Sequence, residues 1–135
     1  MNFIDDEEEW SEVLWADVVG ESFYRENLVS IVKALGETSR FADGVPAVLR
    51  LEDDNPHDSN AVSVWIAKLQ VGHLSREDAM LFRESVEHLM DDDRSASVGA
   101  KIRGGKVNPD GSVEGHIGVV LKLRLPITDD RLHNF

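Results

Sequence analysis

The apolar positions of this chain change period along its length, and the changes mark out its elements. From Val13 to Val19 apolar and β-branched residues crowd together, which predicts a first strand ending at Gly20. Glu21 to Phe23 turns the chain. From Tyr24 the period is helical: Leu28, Ile31, Val32 and Leu35 share a face, Gly36 reads as a stop and Ser22 as a cap. Glu37 to Gly44 is a polar loop. Val45 to Leu51 then alternates, with Ala47, Leu49 and Leu51 opposed to Val48 and Arg50, and Pro46 places the start of this strand at an edge. Glu52 to Asn60 has the Asp, Asn and Pro content of a turn. Asn60 to Ile66 is a strand with Val62, Val64 and Ile66 on one face. Its return strand, Gln70 to Leu74, follows a connection, Ala67 to Leu69, that carries no Gly, Asn or Pro.

Ser75 is a helix N-cap, with Asp78 three residues on, and Ala79, Phe82, Val86, Leu89 and Met90 trace the buried face of the helix it starts. The acidic run Asp91 to Asp93 suits a loop better than a helix C-terminus. Ser97 to Ile102 and Ser112 to Leu125 flank Asn108-Pro109-Asp110-Gly111, a strong turn signal. In the last strand Val119, Leu121, Leu123 and Leu125 face one way. Lys122 and Arg124 face the other, as do Lys101 and Arg103 beside Ile102, so the hairpin predicts an outward basic patch. The ordinary reading of those cations is a solvated strand face. Strand, helix, several strands, helix and long hairpin together predict a mostly β (α+β) fold: a small OB-like or SH3-like barrel with two inserted helices.

Composition narrows this picture. A chain of 135 residues suits one domain with one core. The pattern divides it into an acidic disordered tail (1–12), a folded domain (13–126) and a loose end (127–135). The net charge is −12, and six of the acids lie in residues 1–12, which contain no Lys or Arg. That balance argues against coating duplex DNA by bulk charge, while allowing a local grip on a few phosphates. No apolar run approaches the ~18 residues of a membrane span. Cysteine is absent, so disulfides and thiolate metal sites are excluded. The acidic start resembles neither a secretory nor a transit signal, which favours the cytoplasm.

No catalytic signature emerges. There is no phosphate-binding glycine loop and no nucleophile elbow, and histidines 57, 73, 88, 116 and 133 lack ligand spacing. The reading is of a protein that is not an enzyme and carries no metal or cofactor. Each remaining candidate has an ordinary role when taken singly: Asn55-Pro56-His57-Asp58 as an Asx-type turn with Asp58 or Asn60 capping amides, and Gly72 as a point of close backbone approach.

Taken together, three blocks are unusual: Val18 to Tyr24, Leu51 to Val64 with its Asn-Pro-His-Asp-Ser-Asn-Ala-Val, and Val71 to Arg76 with Val-Gly-His-Leu. In these the chain resembles the HIRAN domain family, in its free-standing bacterial or phage form. The resemblance runs from about Val18 to Leu125. It implies an OB-like fold that holds the 3′ end of single-stranded DNA in a repair or replication setting. On that resemblance Phe23 stacks on a terminal base, with Tyr24 beside it, and Asn55 meets a base. His57 stands where the family often has a stacking tyrosine, Asp58 accepts the 3′ hydroxyl, and His73 and Arg76 meet phosphates. The chain departs from the DNA-binding members at Ser22, where they carry arginine, and at His57; both changes reduce grip. Two other functions remain open: a protein-interaction module using the same groove, with a partner in a repair or helicase complex, and a metal-dependent enzyme acting on nucleic acid ends.

Overall fold

The computed structural model describes residues 12–40, 45–52 and 54–125. The elements in chain order are β1 (Glu12–Asp17), a 3₁₀ turn (Glu21–Tyr24), α1 (Arg25–Arg40), β2 (Val45–Leu51), β3 (Val62–Ile66), β4 (Leu69–His73), α2 (Arg76–Asp91), β5 (Ala96–Val107) and β6 (Val113–Leu125). Both terminal tails, Glu12 apart, lie outside the described residues.

All six strands form one antiparallel sheet in the order β1-β6-β5-β2-β3-β4. The sheet curls because β1 serves both of its edges. Its body pairs with β6, from Glu12 opposite Leu125 to Asp17 opposite Val120. The chain then continues past β6, and Val19 exchanges backbone hydrogen bonds of 2.8 and 3.0 Å with His73 of β4. This closure is the barrel that the strand pattern predicts, and it depends on Gly72. A Cβ there would lie 2.4 Å from Val18 Cγ1 and 2.5 Å from the Val19 carbonyl oxygen.

The alternating strand residues supply one core with both helices. Val62, Val64, Ile66, Val119, Leu121 and Leu123 are buried with Leu28, Ile31 and Val32 of α1 and with Ala79, Phe82, Val86 and Leu89 of α2. Met90, expected on that face, is exposed although Leu89 in the same turn is buried; it stands just outside the arc that Ala79, Phe82, Val86 and Leu89 share. Ser75 caps α2 as expected, its Oγ accepting from the Asp78 N–H at 3.1 Å.

Several local expectations need correction. Gly36 does not stop α1, which runs on to Arg40; an interior glycine costs about 1 kcal/mol but leaves the hydrogen-bond ladder intact. Residues 37–40 are therefore helix rather than loop. Ser22 is not a cap, since it falls inside the 3₁₀ turn, which starts after Gly20. β2 is an interior strand, not an edge; Pro46 is tolerated because the β2–β3 ladder covers only Val48 to Leu51, leaving Pro46 paired on the β5 side alone. The expected β3–β4 hairpin is present, and its turn is tight, with Ala67 and Lys68 taking φ of 51° and 66°. β5 continues past Ile102 to Val107 across an irregularity between Gly104 and Lys106. There Gly104 is required, since a Cβ would sit 2.1 Å from the His116 carbonyl oxygen. Arg25 pins α1 to this hairpin, donating to the carbonyls of Gly115 and Val113 at 2.8 Å each.

Candidate nucleic-acid interface

The loop between β2 and β3 is shaped by its own short polar side chains. Asn55 Oδ1 accepts from the backbone N–H of His57 (2.8 Å) and Asp58 (3.1 Å). Its Nδ2 donates to Glu52 Oε1 at 3.2 Å. Asp58 Oδ1 accepts from the Asn60 N–H at 2.9 Å. The expected turn is thus present, with Asn55 capping two amides and Asp58 one. Arg83 of α2 donates to the Ser59 carbonyl at 3.1 Å and ties the loop to the helix.

Three further contacts extend this loop into a continuous run. On one side His73 Nε2 lies 2.6 Å from Glu52 Oε1, both side chains about one-quarter exposed. The Tyr24 ring packs beside His73, with centroids 6.2 Å apart and planes tilted by 54°. Burial, and then the Glu52 charge, push the Tyr24 phenol above its ordinary range, against a hydrogen bond with Gln70. On the other side Asp58 Oδ2 faces Arg76 Nε at 3.9 Å, with the arginine side chain 82% exposed and the aspartate 25%. So wide and exposed a pair contributes little to stability and leaves both groups within reach of a ligand.

The run therefore passes from Tyr24 through His73, Glu52, Asn55 and Asp58 to Arg76. Phe23 stands at its Tyr24 end, in the 3₁₀ turn that the Val19–His73 bridge brings to β4, with 87% of its surface exposed. His57 is exposed at the loop. Of the residues singled out in the sequence, Tyr24 contacts His73, Asn55 contacts Asp58 and Asp58 faces Arg76; Glu52 joins the two groups, and Phe23 and His57 adjoin them in the chain. Asn55 is turned largely into the loop, with one amide N–H left over among the described residues. His73 has one ring nitrogen engaged by Glu52.

Sequence reasoning missed Glu52, whose partner His73 is 21 residues away. It also missed a cleft beside the 3₁₀ turn lined by Asp17, Glu21, Arg103 and His116. There Glu21 Oε2 accepts from the Val119 N–H at 2.8 Å. Burial raises the Glu21 pKa, opposed by that hydrogen bond and by His116. A third omission is Trp15, whose ring lies under Lys101 Nζ at 5.1 Å and Lys122 Nζ at 5.8 Å. Two cations of the expected basic patch thus gather on an aromatic ring. Arg103 lines the neighbouring cleft, and the Arg124 side chain lies outside what is described.

No group of three or more His, Asp or Glu side chains is placed to hold a metal ion among the described residues. No helix among them is long and apolar enough to cross a membrane.

The HIRAN domain model matches residues 13–110. The crystal structure of the HIRAN domain of human HLTF is 21% identical over 82% of this chain and 74% of that one, with a TM-score of 0.40. A crystal structure of a protein from Lactobacillus plantarum is 20% identical over 84% of this chain and 96% of that one, with a TM-score of 0.42. No curated protein matches the chain.

Proposed function

The chain belongs to the HIRAN domain family, generally a family of DNA-binding domains, and on that footing we propose that it holds the 3′ end of single-stranded DNA without catalysis, in a repair or replication setting. One observation carries the reading: an almost fully exposed phenylalanine, Phe23, at the end of a polar run that contains an accessible carboxylate and guanidinium.

The chemistry divides by residue. Phe23 offers a stacking surface to the terminal base, worth about 1–3 kcal/mol with little sequence preference. Tyr24 borders that base, and His57, exposed at the loop, takes the place of a second stacking ring. Asp58 Oδ1 is spent on the loop, so Oδ2 receives the hydrogen bond from the 3′ hydroxyl. A carboxylate accepts from a terminal hydroxyl and repels a phosphate in the same place, which separates an end from an interior. Arg76, in the first turn of α2, takes the last phosphate, helped by the amides of that turn. His73 presents its remaining nitrogen to the phosphate before it, and Asn55 meets a base with its unspent amide N–H while holding the loop.

The test is titration of a short 3′-hydroxyl oligonucleotide against variants. Phe23→Ala and Asp58→Ala should each weaken binding about tenfold or more; Phe23→Ala should melt like the parent, and Asp58→Ala, which also loses the Asn60 amide bond, should stay folded at a slightly lower melting temperature. Unchanged affinity in both would remove the basis for placing the end here. The net charge of −12 and the exposed Met80 and Leu81 of α2 favour a second reading, a protein-binding face. Absence of DNA binding at low salt, with one partner recovered at fixed stoichiometry, would put it first.

A further inference from the structure

The outward row of β1 leads away from the proposed end site. Trp15, Asp17 and Val19 alternate with buried Ala16 and Val18, so they share the sheet's outer face. Val19 bridges His73. At about 3.4 Å per residue Trp15 lies roughly 14 Å back along the strand from Val19, within the reach of a few nucleotides. Trp15 is 48% exposed on the outer face of β1, which pairs with β6 alone. No hydrogen bond to its indole N–H occurs among the described residues.

The cations around Trp15 are set by strand register. Lys122 is its direct cross-strand partner, and Lys101 lies on the next strand, two residues beyond the Gly99 that pairs with Lys122. Both ammonium groups sit over the ring. Trp65 of β3 provides a contrast. It also has a cation over it, Arg50 at 5.5 Å, but its Nε1 is tied to Ser63 Oγ at 2.8 Å, which marks it as part of the scaffold. In a chain of net charge −12, an exposed ring with two lysines is a local site for an anion that also carries a flat apolar face. Single-stranded nucleic acid has both. Asp17 is the one acid in the outward row, and Arg103 lines the same cleft with opposite charge.

We infer that Trp15, Lys101 and Lys122 form a second contact for single-stranded DNA, engaging the strand a few nucleotides 5′ of the end held at Asp58. A base stacks on Trp15, and the ammonium groups of Lys101 and Lys122 meet the flanking phosphates. The inference rests on the end-binding reading for its direction along the strand, but not for the existence of the contact.

The experiment compares full-length chains on 3′-hydroxyl oligonucleotides of about two nucleotides, too short to reach Trp15 from the end site, and about twelve, within one module's footprint. Trp15→Ala should weaken the longer strand about tenfold and leave the shorter one unchanged. Lys101→Gln with Lys122→Gln should flatten the slope of log affinity against log salt on the longer strand by about 1.4, at ~0.7 per phosphate contact. Fluorescence of a Trp10→Phe, Trp65→Phe chain, in which Trp15 is the remaining indole, should be quenched by the longer strand only. Parental affinity, salt slope and fluorescence on the longer strand would overturn the inference. So would equal losses at both lengths. If Asp58→Ala is silent at either length while the Trp15 and lysine effects persist, the end-binding reading falls and the second contact stands.

Discussion

The two carboxylate oxygens of Asp58 do different work, and the proposed specificity depends on that division. Oδ1 is spent on the Asn60 amide, which fixes the plane of the carboxylate. Oδ2 is left facing Arg76, so acceptor and cation are 3.9 Å apart, the pair to which the proposal assigns a terminal hydroxyl and its phosphate. The Asx-type turn at Asn55-Pro56-His57-Asp58 and a capping role for Asp58 were legible as chemistry, whereas the capping of two amides by Asn55 itself emerged only in the structure. The pairing of His73 with Glu52 was not legible either, since nothing local links a strand-end histidine to a carboxylate two strands away. Glu21 carries a separate prediction. Its folded-state pKa is raised by burial, so between its unfolded value near 4.5 and its higher folded value the native state binds more protons than the unfolded one. Ionisation of Glu21 therefore lowers stability as pH rises through that window. Glu21→Gln keeps an acceptor for Val119 and lacks the charge. It should gain stability relative to the parent as pH rises from 4 to 7, measured by denaturant unfolding; a difference independent of pH would contradict the assignment.

At the scale of elements, the alternation of β2, β3 and β6 and the helical faces of α1 and α2 were readable because burial imposes their periods. What was hidden is what tertiary contact overrides. Ala67-Lys68 carries no turn signature, yet the flanking register, Ile66 opposite Leu69, forces both residues to positive φ. An L-residue there costs about 1–2 kcal/mol, so replacing the pair with Asn-Gly, the sequence suited to this turn, should raise the melting temperature. A lower melting temperature would mean that the two side chains contribute contacts outweighing the strain. Gly72 is the opposite case: its close approach was expected, and the Val18 and Val19 atoms it makes room for are now identified. Gly72→Ala should cost on the order of 3 kcal/mol and should weaken DNA binding more than its stability loss explains, because the Val19–His73 bridge brings the 3₁₀ turn to the loop. Parental DNA affinity in a folded Gly72→Ala chain would show that this closure does not position the site.

At the scale of the molecule, the barrel closes through β1, and the closure delivers Phe23 and Tyr24 to a loop some thirty residues later in the chain. The order of elements indicated a bent mostly β domain; which strand served both edges could not be read from one sequence, since pairing partners leave no periodic trace. The charge distribution is equally non-local. A chain of net −12 gathers Lys101 and Lys122 around Trp15 on one face and places single cations such as Arg76 beside acids. Its grip on DNA should thus rest on stacking and end chemistry more than on bulk attraction, with a shallow salt dependence. The most direct measurement is fluorescence anisotropy on matched oligonucleotides ending in a 3′ hydroxyl, a 3′ phosphate or a blocked 3′ carbon, at low and moderate salt. The hydroxyl end should bind about tenfold or more tighter than the other two at both salts, as expected for a charge-assisted hydrogen bond lost and a phosphate set against Asp58, and Asp58→Asn should narrow the gap to the phosphate. Equal affinity for all three ends would sink the assignment of Asp58 to the 3′ hydroxyl and, with it, the claim that this domain recognises an end.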